Sequence, residues 1–163
     1  MNNNDRLVRL RYALSLTDAD MVEVFKMAGK EMTKPEVKEM LAKKVENARK
    51  ETHTPNIYVR DCDNETLDTF LNGLIISQRG KSDKEPQPTG EIKYMNNVLL
   101  KKMKIALTLT SEDMLEILDS AGVRISNSEL SAVLRKEGHR NFKECGDRYA
   151  RNFLKGLALR YRD

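Results

Sequence analysis

The sequence predicts an all-α protein built from two tandem, pseudo-symmetric four-helix repeats. Three observations carry that prediction. The composition is 39% hydrophobic and 33% charged, with 4 Pro, 8 Gly and no Trp, which suits a helical globular chain better than a turn-rich β one. Residues 3–43 align with 96–136 without a gap at an offset of 93, and 15 of those 41 positions are identical. Residues 61–80 align with 144–163 at an offset of 83, through Cys62/Cys145, Phe70/Phe153, Leu71/Leu154, Gly73/Gly156, Leu74/Leu157 and Arg79/Arg162. The offset falls by ten because the first copy carries a ten-residue insertion within 44–60. The expected organisation is therefore a first repeat at 1–80, a linker at 81–93 containing two Pro and one Gly, and a second repeat at 94–163.

The first helix of each copy is expected at about 5–16 and 98–109. Leu7, Leu10, Ala13 and Leu14, and in the other copy Leu99, Leu100, Met103, Ala106 and Leu107, fall on one helical face. Asn4 and Asn97 stand where N-caps would be. The second helix, about 18–28 and 111–121, opens on Thr17…Asp20 and Thr110…Asp113, which resemble capping boxes. It ends before Gly29 and Gly122, residues suited to a left-handed stop. The third helix opens on the boxes Thr33…Glu36 and Ser126…Glu129, with Pro35 tolerated in its first turn. Its buried stripe is Val37, Met40 and Leu41, or Leu130, Val133 and Leu134. The fourth helix spans about 64–79 and 147–161 around the shared Phe-Leu-x-Gly-Leu. A mid-helix Gly costs roughly 1 kcal/mol relative to Ala, so close approach of another helix is expected at Gly73 and Gly156, and contact between the two repeats is the predicted cause. A short strand candidate, Asn56-Ile57-Tyr58-Val59, lies inside the insertion.

No run approaches the roughly 18 apolar residues of a membrane span, and the N-terminal residues lack a signal-peptide core. With two Cys, this points to a cytoplasmic chain without a disulfide scaffold. The second and third helices with their Gly turn resemble a helix-turn-helix, but Pro35, Lys38, Ser128 and Ser131 occupy positions that the motif fills with apolar residues. Residues 118–129 could be mistaken for a calcium loop, yet Ala121, Val123 and Arg124 are not cation ligands. His53 with Cys62, and His139 with Cys145, match a zinc inventory in number only, since neither copy has paired ligands. A Cys145–His139 nucleophile pair is not repeated in the first copy. No phosphate-binding Gly loop, Gly-x-Ser-x-Gly elbow or His-Glu-x-x-His motif is present. The expectation is a non-enzyme without cofactor or metal.

Charge separates the copies. Residues 1–80 hold 13 basic and 13 acidic side chains, 81–93 hold 3 and 3, and 94–163 hold 13 and 9, so the net +4 belongs to the second copy. Arg135, Lys136, His139, Arg140, Lys143, Arg148, Arg151 and Lys155 form its densest part, with Phe142 and Tyr149 interleaved and Glu137, Glu144 and Asp147 diluting it. Cations of this kind track phosphates, and an exposed ring stacks on a base. The eight residues are the candidate site for DNA or RNA. The alternative is a protein-interaction module whose duplicated helical surface, with an apolar groove or Met-lined patch, meets a protein partner.

The run from Arg135 to Asp147, Phe153-Leu-Lys-Gly-Leu157, Phe70-Leu-Asn-Gly-Leu-Ile75, Arg79-Gly80-Lys81 and the Asn96-Asn97 pair closely resemble the YehS-like bacterial proteins, over essentially the whole chain. The resemblance implies a duplicated cytosolic protein and brings no activity, cofactor or site residue. The segment 44–60 departs from it by its length.

Overall fold

A computed structural model describes residues 1–44, 56–80 and 85–162. It is helical: α1 (Asn3–Ala13), α2 (Asp18–Met27), α3 (Lys34–Leu41), α4 (Asn64–Arg79), α5 (Met95–Ala106), α6 (Ser111–Ser120), α7 (Asn127–Leu134) and α8 (Asp147–Tyr161). The strand candidate at 56–59 contributes a single antiparallel bridge, Lys43 to Tyr58. Residues 45–55, with His53, 81–84 of the expected linker, and 163 lie outside the described residues.

The local signals act as anticipated. Thr17–Asp20, Thr110–Asp113 and Thr33–Glu36 are reciprocal capping boxes, while Ser126 accepts from the Glu129 amide without the return bond. Gly29 and Gly122 have φ of 84° and 88°. Two further left-handed positions carry side chains: Ser15 and Thr108, each at φ 52°, follow α1 and α5. There the next amide reaches back to a carbonyl five residues earlier, Leu16 to Arg11 and Leu109 to Lys104. A β-branched residue pays steric strain in this region, so Thr108→Gly is expected to raise stability by roughly 0.5–1 kcal/mol in denaturant unfolding. An unchanged or lower stability would contradict the assignment of strain.

The expectation for Asn4 and Asn97 is corrected. Asn2 caps α1, and Tyr94 begins α5 with no side-chain cap. Asn4 and Asn97 sit inside the first turns, buried, and each staples three distant backbone groups. The Asn4 amide donates to the carbonyls of Met40 and Arg60, both at 2.8 Å, and its oxygen accepts from the Cys62 amide at 3.1 Å. Asn97 donates to Val133 and Lys143, both at 2.9 Å, and accepts from Cys145 at 2.8 Å. Every partner of Asn97 is the aligned counterpart of a partner of Asn4. The staple fixes the end of the third helix and the strand-like approach to the fourth against the first.

Helix packing follows the same pairing in both halves: α2 on α4 and α6 on α8, with α3 and α7 closing against their neighbours. The halves join through α4 on α5 and α1 on α8. Gly73 and Gly156 are buried, but their close neighbour lies in their own half. A Cβ at Gly73 would overlap the Val24 carbonyl on α2, and one at Gly156 the Ile117 carbonyl on α6. The predicted inter-repeat contact at the glycines is thus wrong in partner. The fourth helix does meet the other half, through a different face, because its Gly face is taken up by the second helix. The core is continuous across the halves and centres on Phe25, Phe70 and Phe153, with Phe25 and Phe70 rings 5.1 Å apart.

Candidate functional site

All eight predicted cationic residues are exposed, yet they do not form one surface. Arg135, Lys136, His139, Arg140 and Lys143 lie on the connection from α7 to α8. Arg148, Arg151 and Lys155 lie on α8 at the three- and four-residue spacing of one helical face. Arg135 borders a groove with Lys101 and Lys104 of α5 and Leu134 of α7. Lys136 borders an adjoining groove of about 460 Å³ with Lys101, Tyr94 and Phe142, where Glu91 and Glu137 are the acidic members. Arg151 and Lys155 instead border a groove against α1, opposite Arg9.

The α5/α7 face therefore gains Lys101 and Lys104, which sequence reasoning missed. They lie more than 30 positions before Arg135, on a helix whose charged positions read as ordinary solvated faces. Burial pulls the Lys101 ammonium below the usual lysine value, with Glu137 opposing and Lys136 adding to the effect. A phosphate placed there would favour the charged form. The aromatic members pair: the Tyr94 and Phe142 rings are 5.2 Å apart and tilted by 48°, and Lys93 lies 5.5 Å from the centre of Tyr94. Phe142 and Tyr149 are half-buried rather than exposed; Phe142 borders the groove with Lys101 and Lys136, while Tyr149 packs against the core. On α7 itself, residues 127–134 contain no Lys or Arg, so a helix-turn-helix reading by that helix lacks its own phosphate contacts.

His139 and Cys145 do not share an environment. His139 is exposed and its Nδ1 accepts from the Asn141 amide at 3.0 Å in the same turn. Cys145 is buried with its amide held by Asn97, and Cys62 is its counterpart on Asn4. Burial pushes both thiols up to about 12, Asp63 adding at Cys62 and Asp147 at Cys145. The expected result is that neither reacts appreciably with a disulfide reagent in the folded protein at pH 8, and that both react on unfolding. A rapid native reaction of either would contradict the buried placement. Among the described residues no three His, Cys, Asp or Glu side chains are grouped to hold a metal ion. Nor, among them, is any helix long and apolar enough to cross a membrane.

One family model, described as protein of unknown function (DUF1456), matches residues 3–80 and 96–163. The chain belongs to this family. The uncharacterized protein YehS of Escherichia coli (strain K12) is 36% identical over 160 residues, 98% of this chain and 96% of that protein. The resemblance to the YehS-like proteins read from the sequence thus holds across the chain. No solved structure matches. The first matched segment ends at Gly80 and the second begins at Asn96, so residues 81–95 lie outside both.

Proposed function

We propose that the chain is a tandem duplication of one four-helix unit, joined by a linker, and that it works as a non-enzymatic module binding nucleic acid through the second unit. The observation that carries the reading is the convergence of Lys101, Lys104, Arg135 and Lys136 from α5 and the end of α7, beside the Tyr94–Phe142 ring pair. His139, Arg140 and Lys143 extend that face along the α7–α8 connection. Cations at this density neutralise phosphates, and an aromatic edge next to them gives a base a surface to pack on.

The test is fluorescence anisotropy with mixed-sequence single-stranded and duplex DNA and RNA across a salt series. The comparison is with Arg135→Glu/Lys136→Glu/Arg140→Glu, all at exposed positions. The wild-type affinity is expected to fall steeply with salt, and the triple variant to lose at least tenfold at low salt, with a slope shallower by roughly 0.7–0.9 per phosphate contact removed. No binding at low salt, or equal binding by the variant, would refute the reading. A second reading, docking of a protein partner, is favoured by one separate feature: the apolar-floored groove between α1 and α8.

A further inference from the structure

The two seams between the halves are counterparts of each other, and they differ in what fills them. At one seam, α4 and α5 form a groove along whose rim the chain lays its own segment 85–89, with Pro86 half-buried and the other four residues exposed. Pro86 borders, with Ile75, Ile76 and Ile105, a cavity of about 410 Å³ that the segment leaves open at the apolar end. Three residues on, Thr89 donates through its amide and its hydroxyl to the Asp68 carboxylate, both at 2.9 Å. Lys102 donates to Asp68 at 2.5 Å, to the Asn72 side chain at 2.7 Å and to the Gln87 carbonyl at 3.3 Å. The groove and segment balance in charge, Lys102 against Asp68 and Arg79 with Glu85 at the cavity, and the stretch Pro86-Gln87-Pro88-Thr89 carries none.

At the other seam, α1 and α8 form the matching groove, of about 500 Å³, and no segment among the described residues is laid along it in this way. The repeat alignment places Arg9 where the filled groove has Lys102, Arg151 where it has Asp68, and Lys155 where it has Asn72. The carboxylate and the amide are replaced by cations. No carboxylate lines the groove, and among the described residues none of the three cations has a carboxylate within 4 Å. The apolar end is kept: Tyr12 stands for Ile105 and Ala158 for Ile75. The difference in cover shows in burial, because α4 buries nine residues and α8 five. Tyr12, at the groove's edge, is 55% exposed, with the Arg162 guanidinium 3.9 Å from its ring centre.

We infer that the α1/α8 groove docks an extended acidic peptide of a partner protein, laid as residues 85–89 lie between α4 and α5. The register follows from the filled groove: a proline or small apolar residue on Tyr12 and Ala158, then acidic residues one and three positions later facing Arg9, Lys155 and Arg151. Main-chain seating of an extended strand is a general way to bind peptides, and three cations without a carboxylate within 4 Å select the acidic ones. This site is separate from the α5/α7 face and stands or falls independently of the nucleic-acid reading.

The probe is a fluorescein-labelled peptide, Ser-Glu-Pro-Glu-Pro-Glu-Asp-Gly-Glu-Ser, with a control in which every Glu and Asp is replaced by Gln or Asn. Anisotropy is expected to show saturable binding of the acidic peptide and at least tenfold weaker binding of the control. Arg9→Glu/Arg151→Glu/Lys155→Glu should abolish binding, with the circular dichroism spectrum unchanged. Ala158→Phe fills the apolar end without altering charge and should weaken binding about tenfold. The Arg135→Glu/Lys136→Glu/Arg140→Glu variant should bind the peptide as the wild type does. No binding of the acidic peptide at low salt overturns the inference. Full binding by Ala158→Phe overturns it as well, because the contact would then be charge without a groove. If a ten-residue oligothymidylate displaces the peptide and is itself lost in the Arg9 triple variant, the groove belongs to nucleic acid and the peptide assignment is overturned.

Discussion

Asn97→Ala is expected to destabilise the protein by about 3–4 kcal/mol in denaturant unfolding, with the exposed surface unchanged. The substitution removes three hydrogen bonds at once and strands the Val133 and Lys143 carbonyls and the Cys145 amide. Each unsatisfied buried group costs about 1–3 kcal/mol, with water entering the vacated space recovering part of it. Small domains are stable by about 5–15 kcal/mol, so the loss is a large share of the total. Asn97→Asp should be nearly as damaging, because a carboxylate can accept from Cys145 but cannot donate to two carbonyls. Asn4→Ala should behave alike through Met40, Arg60 and Cys62. A loss below about 1 kcal/mol in both Ala variants would mean that the staples are not structural.

The second large effect is a reversal of sign. In an ordinary helix interior, Gly→Ala stabilises by roughly 1 kcal/mol. Gly156→Ala is expected to destabilise by about 2–4 kcal/mol instead, because the new methyl would overlap the Ile117 carbonyl and its Cγ2 and force α6 away from α8. A backbone carbonyl cannot swing aside as a side chain can, so the helices must separate along their length. Gly73→Ala meets the Val24 carbonyl in the same way. Thermal unfolding of both variants reads the effect, and a raised melting temperature in either would contradict the close approach.

Much of the fold was legible because its signals are local. Thr17, Thr33, Thr110 and Gly29 act within a turn of themselves, and the helical spacing of Leu7, Leu10 and Ala13 depends on no distant residue. Asn4 and Asn97 were misread because an Asn at a helix start has a local use, and its real partners lie 36 to 58 positions away. Their identity in both halves was the available signal, since a cap tolerates Ser, Thr or Asp and a three-way amide staple does not. The cations were found as residues and misjudged as a surface. A run that is contiguous in sequence divides at the start of α8, where the chain turns to lie on α1. Arg9, Lys101 and Lys104 complete the two groups from helices far along the chain, which charge counting within one segment cannot reveal.

The central functional claim is that nucleic acid occupies the α5/α7 face. Amide chemical-shift mapping with a ten-nucleotide mixed-sequence single strand at low salt tests it most directly. The predicted result is a cluster of shifts at Tyr94, Lys101, Lys104 and along 135–142, with Arg9, Tyr12 and Lys155 unmoved. No shifts at saturating oligonucleotide, or shifts centred on α1 and α8, would contradict it.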